Sequence, residues 1–231
     1  MSALAHYSAI VAIETADPYS DRALFGRELR LDPITTAVLV IDMLNDFCVE
    51  PGPLANPAAL ELCPAQNAVL QAARSAGGTV VFINEQHRTA LQPIREFAKR
   101  MTHTYEGSWG AQVVDELPVL PGDLTVLKRR YSGFFASDLD VTLRDRGIRS
   151  VVLMGVLTNI CVRATAHDSF FLGYDTVVPA DCVGAMSNIE QVATLYDIAT
   201  HFGWVSDAPT VVQALAGGGA IRNQIPDLGA Q

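Results

Sequence analysis

Val151-Val152-Leu153-Met154-Gly155-Val156-Leu157-Thr158-Asn159-Ile160-Cys161 is the stretch on which the reading of the fold turns. Its first four residues are a short apolar run without alternation, as expected of a strand buried on both faces. Gly155 closes that strand and permits a tight turn. Thr158 has the chemistry of a helix N-cap, and a helix from about Asn159 to Leu172 follows, ending at Gly173. Cys161 then falls in the first helical turn.

The same strand-then-helix pattern repeats on either side. Upstream, Ala37 to Ile41 reads as a buried strand. A helix from about Pro57 to Ser75 follows and stops at Gly77-Gly78. Thr79 to Ile83 is a second strand, and a more polar insertion spans about Asn84 to Gly110. Pro121-Gly122-Asp123 introduces a third strand, Leu124 to Leu127. A helix from about Asp138 to Arg146 ends at Gly147. Downstream come strand Thr176 to Val178 and a helix from about Ile189 to His201. Such alternation predicts an α/β fold: three α-β-α layers around a mostly parallel, six-stranded, Rossmann-like sheet with right-handed crossovers. Residues 33–216 form the predicted domain. An irregular arm (residues 1–32) precedes it and a Gly-rich, mobile tail (residues 217–231) follows.

The 231 residues carry 25 acidic and 16 basic side chains, a formal net charge of −9. That balance argues against nucleic acid and against an anionic membrane surface as partners. No segment approaches the roughly 20 apolar residues of a membrane span. The short apolar run Ala9 to Ile13 lacks the basic start of a signal peptide. Cys48, Cys63, Cys161 and Cys182 show no CxxC spacing, so neither a disulfide framework nor a structural zinc site is expected, and the compartment reads as reducing and cytoplasmic.

In parallel sheets ligands bind at the carboxyl ends of the strands. Three of those ends carry reactive groups. The first strand runs into Asp42, the third into Lys128, and the fourth into the turn that bears Cys161. A thiol at a helix start faces the positive end of the macrodipole, which lowers its pKa, and free N–H groups there can hold an oxyanion. Position alone leaves each residue open. Cys161 reads equally as a small buried hydrophobe, Asp42 reads better as a turn residue, and Lys128 reads better as a solvated charge opening Lys128-Arg129-Arg130. The three together favour one catalytic crevice.

At these residues the sequence resembles the isochorismatase-like cysteine hydrolase family. Val40-Ile41-Asp42-Met43-Leu44-Asn45-Asp46-Phe47 is similar to its aspartate motif, although Leu44 stands where many members have Gln. Lys128-Arg129-Arg130-Tyr131-Ser132-Gly133-Phe134-Phe135 is similar to its lysine motif, and Gly155 to Val162 to its nucleophile motif. The resemblance covers residues 35 to 215. Within the family it is strongest to the ureidoacrylate amidohydrolase, biuret hydrolase and N-carbamoylsarcosine amidohydrolase branch: Arg130 to Phe135, Gly107-Ser108-Trp109 and Phe202 to Asp207 are similar to the ureidoacrylate amidohydrolases, and Glu85-Gln86-His87-Arg88 is more similar to the biuret hydrolases.

The resemblance implies Cys161 as nucleophile, Asp42 as proton-transfer base and Lys128 as electrostatic partner of both. It also implies a cis peptide between Val156 and Leu157, with the Leu157 and Cys161 N–H groups as oxyanion hole. The substrate is then a small amide or ureido compound, with Asn45, Phe47, Trp109, Arg130, Tyr131, Phe135 and Asn159 as candidate contacts; Arg130 suits a carboxylate. No cofactor is expected. A catalytic metal is not expected either, because His87 lacks the Asp two residues earlier that the metal-binding nicotinamidase branch carries. The family is commonly dimeric or tetrameric, so a homodimer or homotetramer is expected. Two other readings stand beside this one: a vinyl-ether hydrolase of the isochorismatase type, and a catalytically silent oligomeric scaffold.

Overall fold

The computed structural model describes residues 28–91 and 94–224. Most of the expected N-terminal arm (residues 1–27) and the end of the expected tail (residues 225–231) lie outside the described residues. The part of the tail that is described is tied down: Ile221 is fully buried and pairs in an antiparallel bridge with Leu29.

Seven strands build one sheet rather than the expected six. They are β1 (Thr36–Ile41), β2 (Thr79–Glu85), β3 (Leu124–Lys128), β4 (Ser150–Val156), β5 (Asp175–Pro179), β6 (Val183–Gly184) and β7 (Trp204–Ser206). Their order is β3-β2-β1-β4-β5-β7, with β6 against β4, and every pairing is parallel. Five of them are the strands named from the sequence; β6 and β7, only two and three residues long, carry too little pattern to be placed that way. β5 covers the first half of β4, and β6 takes over beside Gly155 and Val156.

The α-helices are α1 (Asn45–Cys48), α2 (Cys63–Ser75), α3 (Leu139–Asp145), α4 (Arg163–Phe171), α5 (Asn188–Asp197) and α6 (Ala208–Leu215). The stretch expected as one helix from Pro57 is in fact a 3-10 segment, Pro57–Leu62, leading into α2. Two further corrections are of one kind. Thr158–Val162 forms a π-helical turn before α4, and Ile198–Phe202 forms another after α5. No helix of the described residues is long and apolar enough to cross a membrane.

The buried strands follow the rule that continuous apolar runs face helices on both sides. All six residues of β1 are buried, and they alternate between two cores. Val38 and Val40 pack with Val69, Leu70 and Ala73 of α2 and with Val211 and Leu215 of α6. Ala37, Leu39 and Ile41 pack with Leu139 and Leu143 of α3, with Val162 of the turn before α4 and with Ala166 of α4. Burying each large aliphatic side chain contributes about 1.5–3 kcal/mol, so β1 is the spine of the domain.

The chain builds outward from β1 through β2 to β3, then crosses back to place β4 on the other side of β1. That reversal is a topological switch point, where parallel sheets open a crevice at their carboxyl ends. Gly155 has a sharper role there than closing the strand, since it lies within β4 and pairs with Ile41. Its φ is +118°, and a Cβ on it would sit 2.0 Å from the Ile41 carbonyl oxygen. Only glycine lets β4 approach β1 this closely.

Candidate active site

Asp42 follows β1 directly, with φ 53°, in the left-handed region that Asp tolerates better than most residues. Its N–H donates to the Ile83 carbonyl at 2.9 Å, and its Oδ1 accepts the Glu85 N–H at 2.8 Å. The carboxylate is thereby fixed to the ends of β1 and β2.

Lys128 ends the edge strand β3, in which inward and outward residues alternate. Val126 and Lys128 point inward, and Thr125 and Leu127 point outward. Lys128 is fully buried, not a solvated charge. Its Nζ lies 2.7 Å from Asp42 Oδ2, 3.0 Å from Glu85 Oε2 and 3.6 Å from Cys161 Sγ.

Cys161 is buried in the π-helical turn. The cap position falls on Leu157, not on Thr158, whose buried hydroxyl has no partner among the described residues. The peptide between Val156 and Leu157 is cis. Thr165 of α4 links the turn that bears Cys161 to the loop after Lys128: its hydroxyl donates to the Cys161 carbonyl at 2.7 Å and accepts the Gly133 N–H at 3.0 Å.

Glu85 is the functional-site residue that sequence reasoning passed over. It is the last residue of β2 and the register partner of Lys128. Besides Lys128 it engages two imidazoles: His103 Nε2 lies 2.9 Å and His87 Nε2 3.2 Å from its Oε1. His103 Nδ1 in turn meets the Met101 carbonyl at 2.6 Å. The carboxylate two residues before His87, and the position of Glu85 at a strand end beside Asp42, were signals that could have found it.

The environment drives the two carboxylates apart. Burial alone raises a carboxyl pKa. At Asp42 burial wins over the attraction of Lys128, and the Glu85 charge adds to it, so Asp42 titrates above its ordinary range. At Glu85 burial is outweighed by Lys128 and the two imidazoles, and its pKa falls well below the ordinary range. Glu85 is thus the standing counter-charge of Lys128, while Asp42 can exchange a proton. His103 is pushed up despite its burial, because Glu85 accepts from it.

The thiol departs from the sequence expectation. Burial pushes the Cys161 pKa well above its usual value; Lys128 pulls it down, but Asp42 and Glu85 push it further up. Desolvation therefore beats the helix end, and Cys161 rests as a thiol beside a base.

A cavity of about 400 Å³ opens onto these groups. Of the seven expected contacts, Phe47, Tyr131 and Asn159 line it, as does Leu157 of the expected oxyanion hole. Asn159 donates to Glu190 Oε1 at 3.1 Å. The other four lie elsewhere. Asn45 turns its amide to the Trp109 carbonyl at 3.0 Å, and neither residue lines the cavity. Arg130 and Phe135 line a separate surface groove of about 790 Å³, where Arg130 donates to the Arg129 carbonyl. The side chain that does bring a guanidinium to the cavity is Arg100, from the insertion. Leu44 is fully buried and outside the cavity.

The insertion also gathers a donor set. Glu85, His87, Glu96 and His103 bring their ligand atoms within 4.8 Å of one another, all buried. Both Glu96 carboxylate oxygens lack a hydrogen-bond partner among the described residues. The expectation against a metal rested on the lack of Asp at position 85, yet a carboxylate stands there. These four side chains match zinc in kind and would hold a divalent cation if one binds, adding positive charge behind Lys128.

The Isochorismatase domain profile matches residues 36–210. The chain is 38% identical to ureidoacrylate amidohydrolase RutB of Stutzerimonas stutzeri, over 78% of this chain and 83% of that protein. Among solved structures it is similar to a cysteine hydrolase from Pseudomonas syringae pv. phaseolicola (26% identity, 84% of this chain and 98% of that one, TM-score 0.77). It is also similar to an N-carbamoylsarcosine amidase from Thermoplasma acidophilum (32% identity, 75% and 96%, TM-score 0.67). With the domain matched over residues 36–210 and 38% identity to one relative over 78% of its length, the chain belongs to the isochorismatase-like family of hydrolases.

Proposed function

We propose that this protein is a cysteine-dependent amidohydrolase that cleaves a C–N bond of a small linear amide or ureido compound. The observation that carries the reading is one buried ammonium, Lys128 Nζ, held 2.7 Å from Asp42 and 3.6 Å from Cys161, both of which line a cavity of about 400 Å³.

Asp42 takes the thiol proton as Cys161 Sγ attacks the carbonyl carbon. A C–S bond forms and the carbonyl π electrons move to oxygen. The Leu157 and Cys161 N–H groups receive that oxyanion. As the oxyanion collapses, the C–N bond breaks and Asp42 returns its proton to the leaving nitrogen. Ammonia or an amine departs, leaving a thioester or thiocarbamate. Asp42 then takes a proton from water, the hydroxide adds to the same carbon, and the C–S electrons return to sulfur with that proton. Lys128 stays charged throughout and stabilises the negative charge as it moves among Asp42, Cys161 and the substrate.

The names of the relatives support the substrate class, since ureidoacrylate and N-carbamoylsarcosine both present a ureido carbonyl. The reading carries with it a homodimer or homotetramer in the cytoplasm, acting on a free small molecule without nucleic acid or membrane. The test is ammonia release from ureidoacrylate, N-carbamoyl amino acids, biuret, maleamate and nicotinamide, with intact-mass detection of a Cys161 adduct. Cys161→Ala must abolish both. Near-normal turnover by that variant, or pyruvate release from isochorismate in place of ammonia release, overturns the reading.

A further inference from the structure

We propose that Arg100 anchors a carboxylate of the substrate, so that the compound hydrolysed is an acid with a ureido or amide group at one end and a carboxylate at the other. This deepens the amidohydrolase reading and rests on it.

Among the described residues that line the Cys161 cavity, Arg100 is the one Arg or Lys. The other charged groups there are already matched. Asp42 and Glu85 share Lys128, His103 meets Glu85, and Glu190 accepts from Asn159 and Ser187. Arg100 has no carboxylate within ion-pair distance among the described residues. Its guanidinium contact is Nη1 to the neighbouring Lys99 carbonyl at 3.2 Å. In a chain with 25 acidic side chains against 16 basic ones, an unpaired guanidinium on a cavity wall points to an anion from outside.

Lys128 cannot take that role. It is fully buried and already held by Asp42 and Glu85, and a further carboxylate on it would disarm the base. Arg130, expected from the sequence to do so, lies outside the cavity. Arg100 has the planar fork of donors that a carboxylate accepts in pairs. Tyr131 stands in the same wall, within range of both the Arg100 charge and Cys161. Its phenol stays protonated, because burial and the Glu96 and Glu85 carboxylates push its pKa up. It can donate a second hydrogen bond to the anion. The rest of the wall is largely apolar, including Phe47, Leu54, Ile160 and Met186, which suits a short hydrocarbon link between the two polar ends. A cavity of about 400 Å³ is near the lower end for small-molecule sites and excludes large acids.

The test separates binding from turnover. Affinities for ureidoacrylate and for its neutral primary amide are measured by calorimetry on Cys161→Ala protein, with Arg100 intact and as Arg100→Ala or Arg100→Lys. The expected result is acid binding at least about tenfold tighter than amide, a preference lost in Arg100→Ala and partly kept in Arg100→Lys. In the otherwise unchanged enzyme, Arg100→Ala should raise KM for the acid about tenfold or more while kcat holds within a few-fold. Equal binding of acid and amide, equal weakening of both by Arg100→Ala, or binding of neither overturns the anchor. The amidohydrolase reading fails separately, if the unchanged enzyme releases no ammonia from the acid, the amide or biuret and forms no Cys161 adduct.

Discussion

Lys128 Nζ lies 3.0 Å from Glu85 Oε2, and the two residues are register partners on adjacent strands. This pair gives Lys128, the proposed partner of the Cys161 nucleophile, a counter-charge other than Asp42, the proposed base. Two carboxylates on one ammonium, with their pKa values driven in opposite directions, separate a structural anion from a proton carrier.

Glu85→Gln tests that division. The Glu85 charge is one of the causes that raise Asp42, so its loss should move the acid limb of the kcat/KM profile to lower pH. The plateau rate should fall about tenfold or more, because a weaker base takes the thiol proton. Stability should drop by about 3–5 kcal/mol at neutral pH, as expected when one partner of a buried pair is removed. Glu85 has a depressed folded pKa, so its contribution is present above the ordinary carboxylate value and lost as pH falls through the folded one. The gap between the two proteins, followed by thermal unfolding, should therefore narrow below about pH 4.5. An acid limb that stays in place or moves upward contradicts the assignment.

Slow alkylation at neutral pH is expected of Cys161. Its pKa is raised by burial, and the thiolate forms in step with attack. Iodoacetamide labelling of the free enzyme, followed by intact mass, should be slow at pH 7 and accelerate only above the usual thiol range. Rapid labelling with a midpoint below pH 7 would show a preformed thiolate and remove the need for Asp42. Resistance to a thiol probe consequently says nothing for a silent scaffold; absence of an acyl adduct with substrate does.

Hydrolysis should survive chelation. The proposed steps use Asp42, Lys128, Cys161 and two backbone N–H groups, with none of them assigned to a cation. Overnight treatment with 1,10-phenanthroline, with metal content measured before and after, should leave kcat/KM within about twofold. A loss restored by zinc would give a working role to the Glu85, His87, Glu96 and His103 set.

The parallel sheet, the switch point and the three reactive strand ends were legible because each rests on local signals: unbroken Val/Ile/Leu runs and the Gly residues that end helices. What was not legible depends on pairing across the sheet. Lys128 looks solvated in a basic run, yet the alternation of an edge strand turns it inward. Glu85 has no local mark of function until β2 sets it beside Lys128. Arg130 sits in the lysine motif but on the outer side of it, and Arg100 reaches the cavity from an insertion with no periodic pattern. The direction of the Cys161 pKa was misread for a similar reason: a helix end is visible in sequence, and the burial that outweighs it is not.

Gly155 offers a test of the sheet geometry that is independent of chemistry. Its φ of +118° and the 2.0 Å approach of an added Cβ to the Ile41 carbonyl leave no room for a side chain without parting β4 from β1. Gly155→Ala should cost more than about 3 kcal/mol and, by displacing the strand that leads to Cys161, remove activity even in protein that still folds. Gly147→Ala is the control: its φ is +67°, but nothing lies within 4 Å of the added Cβ. It should cost about 1–2 kcal/mol, the strain of a left-handed alanine alone, and leave kcat/KM unchanged. Urea denaturation of the two variants measures the difference. Equal costs would mean that backbone conformation, and not the close contact between β1 and β4, is what requires glycine at position 155.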